Sequence, residues 1–167
     1  MTAMFTGLII GLVAAQRITE LVRDRRNTAS LMAEGGIEHG AGHYPLFILL
    51  HASWLVCLAV WTLTQQFELN WFWLGPYVLL QFGRVWVIRT LGPYWTTRII
   101  SISGRPLVSA GPYRFVRHPN YWIVTTEIAL LPLAFGAWQI AALYSVLNGS
   151  LLYHRIKVEN AALDARR

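Results

Sequence analysis

No Asp, Glu, Lys or Arg interrupts the chain from Tyr44 to Thr64, and the apolar runs 1–16, 71–88 and 121–153 carry at most one such residue each. Crossing a bilayer core of roughly 30 Å takes about 20 helical residues. In lipid every backbone N–H and C=O must be satisfied within the protein, which leaves helices and closed barrels. Uncharged runs of this length are too long for barrel strands. They predict an all-α, polytopic integral membrane helical bundle, with the whole chain, 1–167, as a single membrane-embedded domain. Only 13% of the residues are charged, against roughly 25% in soluble domains. So few charges cannot cover a globule in water.

The runs divide into about five spans, near 1–16, 44–64, 71–88, 121–133 and 136–153. The first continues as an interfacial helix through Arg17, Glu20, Asp24 and Arg25, whose i,i+3 and i,i+4 spacings allow ion pairs on its surface. Its start resembles a signal-peptide core, but no positive charge precedes it, so an uncleaved span is expected. Gly35, Gly36, Gly40 and Gly42 mark a loop. Pro45 suits a helix start. Gly92-Pro93 ends the third run, and Pro132 with Gly136 splits the last apolar block into a tight helical hairpin. Residues 89–120 and the tail 154–167 form a polar cap.

The basic residues set the orientation. Arg17, Arg23, Arg25 and Arg26 lie in the first connection, five arginines in 89–120, and Arg155, Lys157, Arg166 and Arg167 in the tail. In a five-span chain these all fall on one side. The positive-inside rule makes that side cytoplasmic and puts the N-terminus outside. A net charge of +6 distributed in this way is a membrane signature, so no nucleic-acid partner is expected. Cys57 is a lone cysteine inside an apolar run. His39, His43 and His51 share no ligand spacing, and no metal site is expected.

The most informative stretch is Gly111-Pro112-Tyr113-Arg114-Phe115-Val116-Arg117-His118-Pro119-Asn120-Tyr121. Gly-Pro turns the chain, and Pro119 keeps His118 out of helix. Arg117 and His118 are thereby presented at a helix N-terminus, where free N–H groups favour anionic ligands. The alternative reading is an ordinary juxtamembrane belt of basic and aromatic residues. Past the last span, Arg155 and Glu159 are four apart on one helical face. They form either a surface pair or two arms reaching toward the 111–121 segment. Arg84, Glu127, His51 and Asn148 are polar at membrane depth, where such groups are costly and default to functional candidates. An Arg84–Glu127 structural pair and interhelical hydrogen bonds for His51 and Asn148 are the structural alternatives.

The 111–121 segment, followed by an apolar hairpin and then Arg155-x-x-x-Glu159, resembles the isoprenylcysteine carboxyl methyltransferase family. Gln16-Arg17 with Glu20-Leu21-Val22, Arg25-Arg26-Asn27, Gly42-His43-Tyr44, 84–89 and 91–95 are similar to a small bacterial branch that O-methylates alkylpyrones and phenolic lipids. The resemblance implies a bacterial inner-membrane enzyme, with S-adenosylmethionine as cofactor and a lipophilic small molecule as acceptor. It implies a cytoplasm-facing cofactor site made by Val108, Gly111, Tyr113, Arg117, His118, Pro119, Tyr121, Arg155 and Glu159. His118, Arg117 and Glu159 would be its catalytic group, and Arg84, Glu127 and Asn148 the acceptor-site candidates. Many members carry two adjacent acidic residues after the hairpin; this chain has Glu159-Asn160. A prenylcysteine-type carboxylate or a lipid amine is the alternative acceptor. A small membrane assembly or transport subunit is the non-enzymatic reading.

Overall fold

A computed structural model describes residues 2–164; Arg166 and Arg167 of the basic tail lie outside them. Five helices carry the architecture: α1 (Thr2–Ala33), α2 (Tyr44–Thr64), α3 (Trp71–Leu91), α4 (Pro119–Ala134) and α5 (Trp138–Asp164). Two of these stretches, Met4–Ala33 and Ala41–Thr64, are long and apolar enough to cross a membrane. Local chemistry sets the boundaries. Asn70 caps α3 by accepting from the Phe72 N–H. Gly92 ends α3 at a positive φ of 54°, and Pro119 begins α4, where its missing N–H costs nothing.

The glycine-rich segment after α1 departs from the expected plain loop. It holds a short strand, β1 (Ile37–His39), paired antiparallel with β2 (Ile99–Ser101). The pairing is reinforced by Arg98 on Glu38 at 2.9 Å and by the His39–Ser101 side-chain hydrogen bond at 2.8 Å. These short strands tie the α1–α2 connection to the α3–α4 connection.

The helices are inverted relative to a water-soluble bundle. Leu12, Leu49, Val56, Leu79, Phe82 and Val146 are exposed, while Glu20, Asp24, Arg84, Glu127, Asn148 and Arg155 are buried. Exposed apolar surface on this scale needs a covering phase, and lipid supplies it. Trp54, Leu58, Ile128, Leu131 and Phe135 form the apolar core around α4.

The connections gather at two poles. At one pole the Asn70 N–H donates to the Ala134 carbonyl at 2.9 Å, and the Trp61 indole donates to the Phe135 carbonyl at 3.0 Å. The residue 65–70 connection therefore meets the α4–α5 turn. At the other pole the Thr97 N–H donates to Asp24 at 2.6 Å, and Asn27 donates to the carbonyls of Gly92 and Trp95. The charged end of α1 is thus part of the cap. Asp24, rather than forming a surface ion pair, is a buried acceptor that holds the 92–97 segment.

Candidate functional site

A cavity of about 960 Å³ runs from the cap into the bundle. At the cap end Tyr121, in the first turn of α4, joins two residues of α5. Arg155 Nε donates to the Tyr121 hydroxyl at 2.7 Å, and that hydroxyl donates to Glu159 Oε2. Arg155 also donates to the Thr97 carbonyl at 2.6 Å and lies over the Phe47 ring, 5.2 Å from its centroid. Arg155 and Glu159 do not form a surface pair, the first of the two readings open from sequence. They are linked through the phenol between them, and both reach the segment that ends at Tyr121.

His118 stacks on Tyr121, with ring centroids 5.2 Å apart. Its Nε2 lies 3.1 Å from Asn160 Oδ1, and its Nδ1 faces Glu159 at 3.5 Å. Asn160, the departure from two adjacent acidic residues, is therefore a partner of His118. Burial, together with the nearby charge of Glu159, raises the Tyr113 phenol above the ordinary range. It stays protonated and can donate.

Of the cofactor-site residues expected from sequence, Val108, Tyr113, Arg117, His118, Tyr121, Arg155 and Glu159 line the cavity, whereas Gly111 and Pro119 do not. Gly111 serves the turn. Its φ is +55°, and a Cβ there would meet Thr90 Oγ1 at 2.4 Å. Pro119 is buried at the start of α4. Asn120, inside the same motif, is a further site residue. Its Oδ1 is buried, has no hydrogen-bond partner among the described residues and belongs to a cavity-lining residue. Its uncharged side chain gives no sequence signal. Phe47 and Thr97 also line the cavity, and only their tertiary contacts identify them.

Deeper, four charges form a closed ring. Arg84 bonds Glu127 with two nitrogens and Glu20 at 3.2 Å; Arg17 bonds Glu20 at 3.0 Å and Glu127 at 2.8 Å. Gln81 adds a donor to Glu127 and Gln16 one to Glu20. Arg17, Glu20, Arg84 and His51 line the cavity. Glu127 and Asn148 are fully buried and do not. Glu127 instead anchors the two guanidiniums, and Asn148 lies 3.4 Å from Thr125 Oγ1 between α4 and α5. The apolar wall of the inner cavity comes from α1 and α2, including Ile18, Ile48, Leu55 and Val56. Ile18, Ile48 and Val56 are exposed as well as cavity-lining.

These features define a helical membrane protein whose cavity joins a charged cap to an apolar interior. The chain belongs to the isoprenylcysteine carboxyl methyltransferase (ICMT) family, whose model matches residues 73–165, more than half of it. It is thereby a member of a family of membrane methyltransferases. It is 36% identical over 160 residues to the uncharacterized protein YpbQ of Bacillus subtilis, with 94% of this chain and 95% of that one covered. An uncharacterized protein of Haemophilus influenzae is 24% identical over 165 residues, covering 96% of each. No solved structure matches the chain significantly.

Proposed function

We propose that the protein is an integral-membrane O-methyltransferase that uses S-adenosylmethionine and acts on the hydroxyl of a lipophilic acceptor of the alkylpyrone or phenolic-lipid type. The observation that carries this reading is the continuity of the cavity. Charged and aromatic groups stand at the cap, and exposed apolar side chains of α1 and α2 line the cavity beneath it. A water-soluble cofactor and a lipid-borne acceptor can reach such a space from opposite sides.

The cap residues fit the cofactor's chemistry. Arg117 and Arg155 suit its carboxylate, Glu159 its ribose or amino group, and Tyr113 and Tyr121 its planar base and sulfonium. The buried Oδ1 of Asn120, without a partner among the described residues, needs a donor, which an amine or ribose hydroxyl supplies. Both nitrogens of His118 face the tail, which favours orienting work over proton removal. Val108 lines the cavity, and Gly111 and Pro119 shape the turn that closes it. Bound S-adenosylmethionine supplies a methyl group already activated by a sulfonium. The protein's own work is then to hold acceptor oxygen and methyl carbon about 3–3.5 Å apart and to exclude water.

Arg84 is proposed to face the acceptor, with Glu127 behind it as its counter-ion and Asn148 as a helix-joining group. Five spans, with α4 and α5 as a hairpin, place the basic cap in the cytoplasm and the N-terminus outside, in the bacterial inner membrane. The grouping of connections at two poles supports this arrangement.

The test is purified protein with labelled cofactor and three acceptors: an alkylpyrone, a prenylcysteine analogue and phosphatidylethanolamine. Label is expected on the alkylpyrone. Label on either other lipid replaces the acceptor assignment. No transfer, together with a melting temperature unmoved by millimolar cofactor, overturns the enzymatic reading, because a ligand that binds the native state must stabilise it.

A further inference from the structure

His51 lies one helical turn beyond Phe47 on α2, about 6 Å further along the axis. The Phe47 ring meets Arg155 of the cap, and the Phe47 carbonyl lies 2.8 Å from His51 Nδ1. A carbonyl only accepts, so Nδ1 carries the proton and the neutral ring leaves Nε2 bare. Among the described residues no group hydrogen-bonds Nε2, and His51 lines the cavity. The ring is therefore locked in one tautomer, with the lone pair of Nε2 uncovered one turn inside the cap.

Its neighbours bear on what it meets. Arg17, Arg84 and Glu127 lie within electrostatic reach of the ring, and each arginine is ion-paired to both Glu20 and Glu127 in the closed ring. An acceptor that arrives as an anion calls for an unmatched cation at this depth, and this cluster has none. A neutral acceptor that becomes anionic only during transfer fits it, since fixed dipoles stabilise charge as it develops.

We propose that His51 Nε2 is the base for the acceptor, and that the acceptor group is therefore a weakly acidic neutral hydroxyl of the phenol type, rather than a carboxylate. This rests on the methyltransferase reading above. In the step the acceptor oxygen bonds to the methyl carbon while the methyl–sulfur bond breaks. The electron pair of the broken bond stays on sulfur, turning sulfonium into thioether, and the O–H proton passes to Nε2.

The test compares wild type with His51→Phe on a long-chain alkylphenol and on its ring-nitrated analogue, which is ionised before it binds. Without cofactor, the variant should bind the alkylphenol about tenfold more weakly and the nitrated analogue unchanged. With cofactor, kcat should fall roughly 10²–10⁴-fold on the alkylphenol and little on the analogue. Equal losses on both acceptors, or none on either, overturn the proposal.

Should the variant fail to fold, wild type alone decides across alkylphenols of graded acidity. An internal base gives a shallow dependence on acceptor acidity. A rate that tracks the ionised fraction of each acceptor, once corrected for phenolate nucleophilicity, means that only pre-ionised acceptor reacts, and overturns the assignment. Wild type that methylates carboxyl or amine lipids but no phenol also overturns it. Wild type that binds no cofactor overturns the parent reading instead.

Discussion

The Tyr121 hydroxyl donates to the Glu159 carboxylate, joining the first turn of α4 to the C-terminal part of α5. The same oxygen accepts from Arg155 Nε at 2.7 Å. One phenol thus sets the spacing of a cation and an anion on the tail helix, and the three line the cavity together. A hydroxyl, which both donates and accepts, is the group that can stand between them.

Tyr121→Phe keeps the ring and removes this link. Each lost charge-assisted hydrogen bond is worth roughly 1.5–3 kcal/mol, part of which water returns at a partly open site. Cofactor affinity is expected to fall about 10- to 100-fold, read by titration calorimetry in detergent. Affinity equal to wild type would mean that the bridge is incidental to binding.

Glu127→Gln leaves Arg17 and Arg84 facing Glu20 alone. Removing one partner of a buried ion pair costs roughly 3–5 kcal/mol, so a marked drop in melting temperature is expected. The double variant Arg84→Met with Glu127→Leu removes one charge of each sign and should recover much of that loss. A double variant less stable than Glu127→Gln would contradict a charge-balance role.

Gly111→Ala forces a Cβ onto Thr90 Oγ1 at a φ of +55°. Left-handed backbone costs a non-glycine residue roughly 1–2 kcal/mol, before the clash is counted. The melting temperature should fall, and cofactor affinity with it, because the turn carries Tyr113 into the cavity. Adding Thr90→Ala should relieve the clash but leave the backbone cost. Full recovery in the double variant would assign the whole effect to the contact.

The two poles predict opposite accessibility. In a Cys57→Ala background, Gln66→Cys in the α2–α3 connection should react with a membrane-impermeant maleimide on intact cells. Ser103→Cys in the cap should react only after permeabilisation. The reverse pattern would invert the proposed orientation.

The helices were legible because lipid imposes a simple rule on composition. The Tyr44–Thr64 run matches α2 end for end, and Pro132 with Gly136 marks where α4 gives way to α5. Strands β1 and β2 were not legible. Three residues carry too little period-2 pattern, and each strand exists only through its partner across the cap.

Residue identity alone determined that charge at membrane depth must be matched, and it left Arg84 and Glu127 open as either an ion pair or acceptor-site groups. It also determined that a Gly-Pro turn and Pro119 would present Arg117 and His118 ahead of a helix. Folding decided the rest. It closed the Arg84–Glu127 pair into a ring with Arg17 and Glu20, and set Tyr121 between Arg155 and Glu159. It gave His118 to Asn160, moved Gly111, Pro119, Glu127 and Asn148 off the cavity wall, and left the far nitrogen of His51 uncovered. The reason is geometric: side-chain spacing along one helix is set by its pitch, whereas contacts between helices depend on how each is rotated against its neighbours.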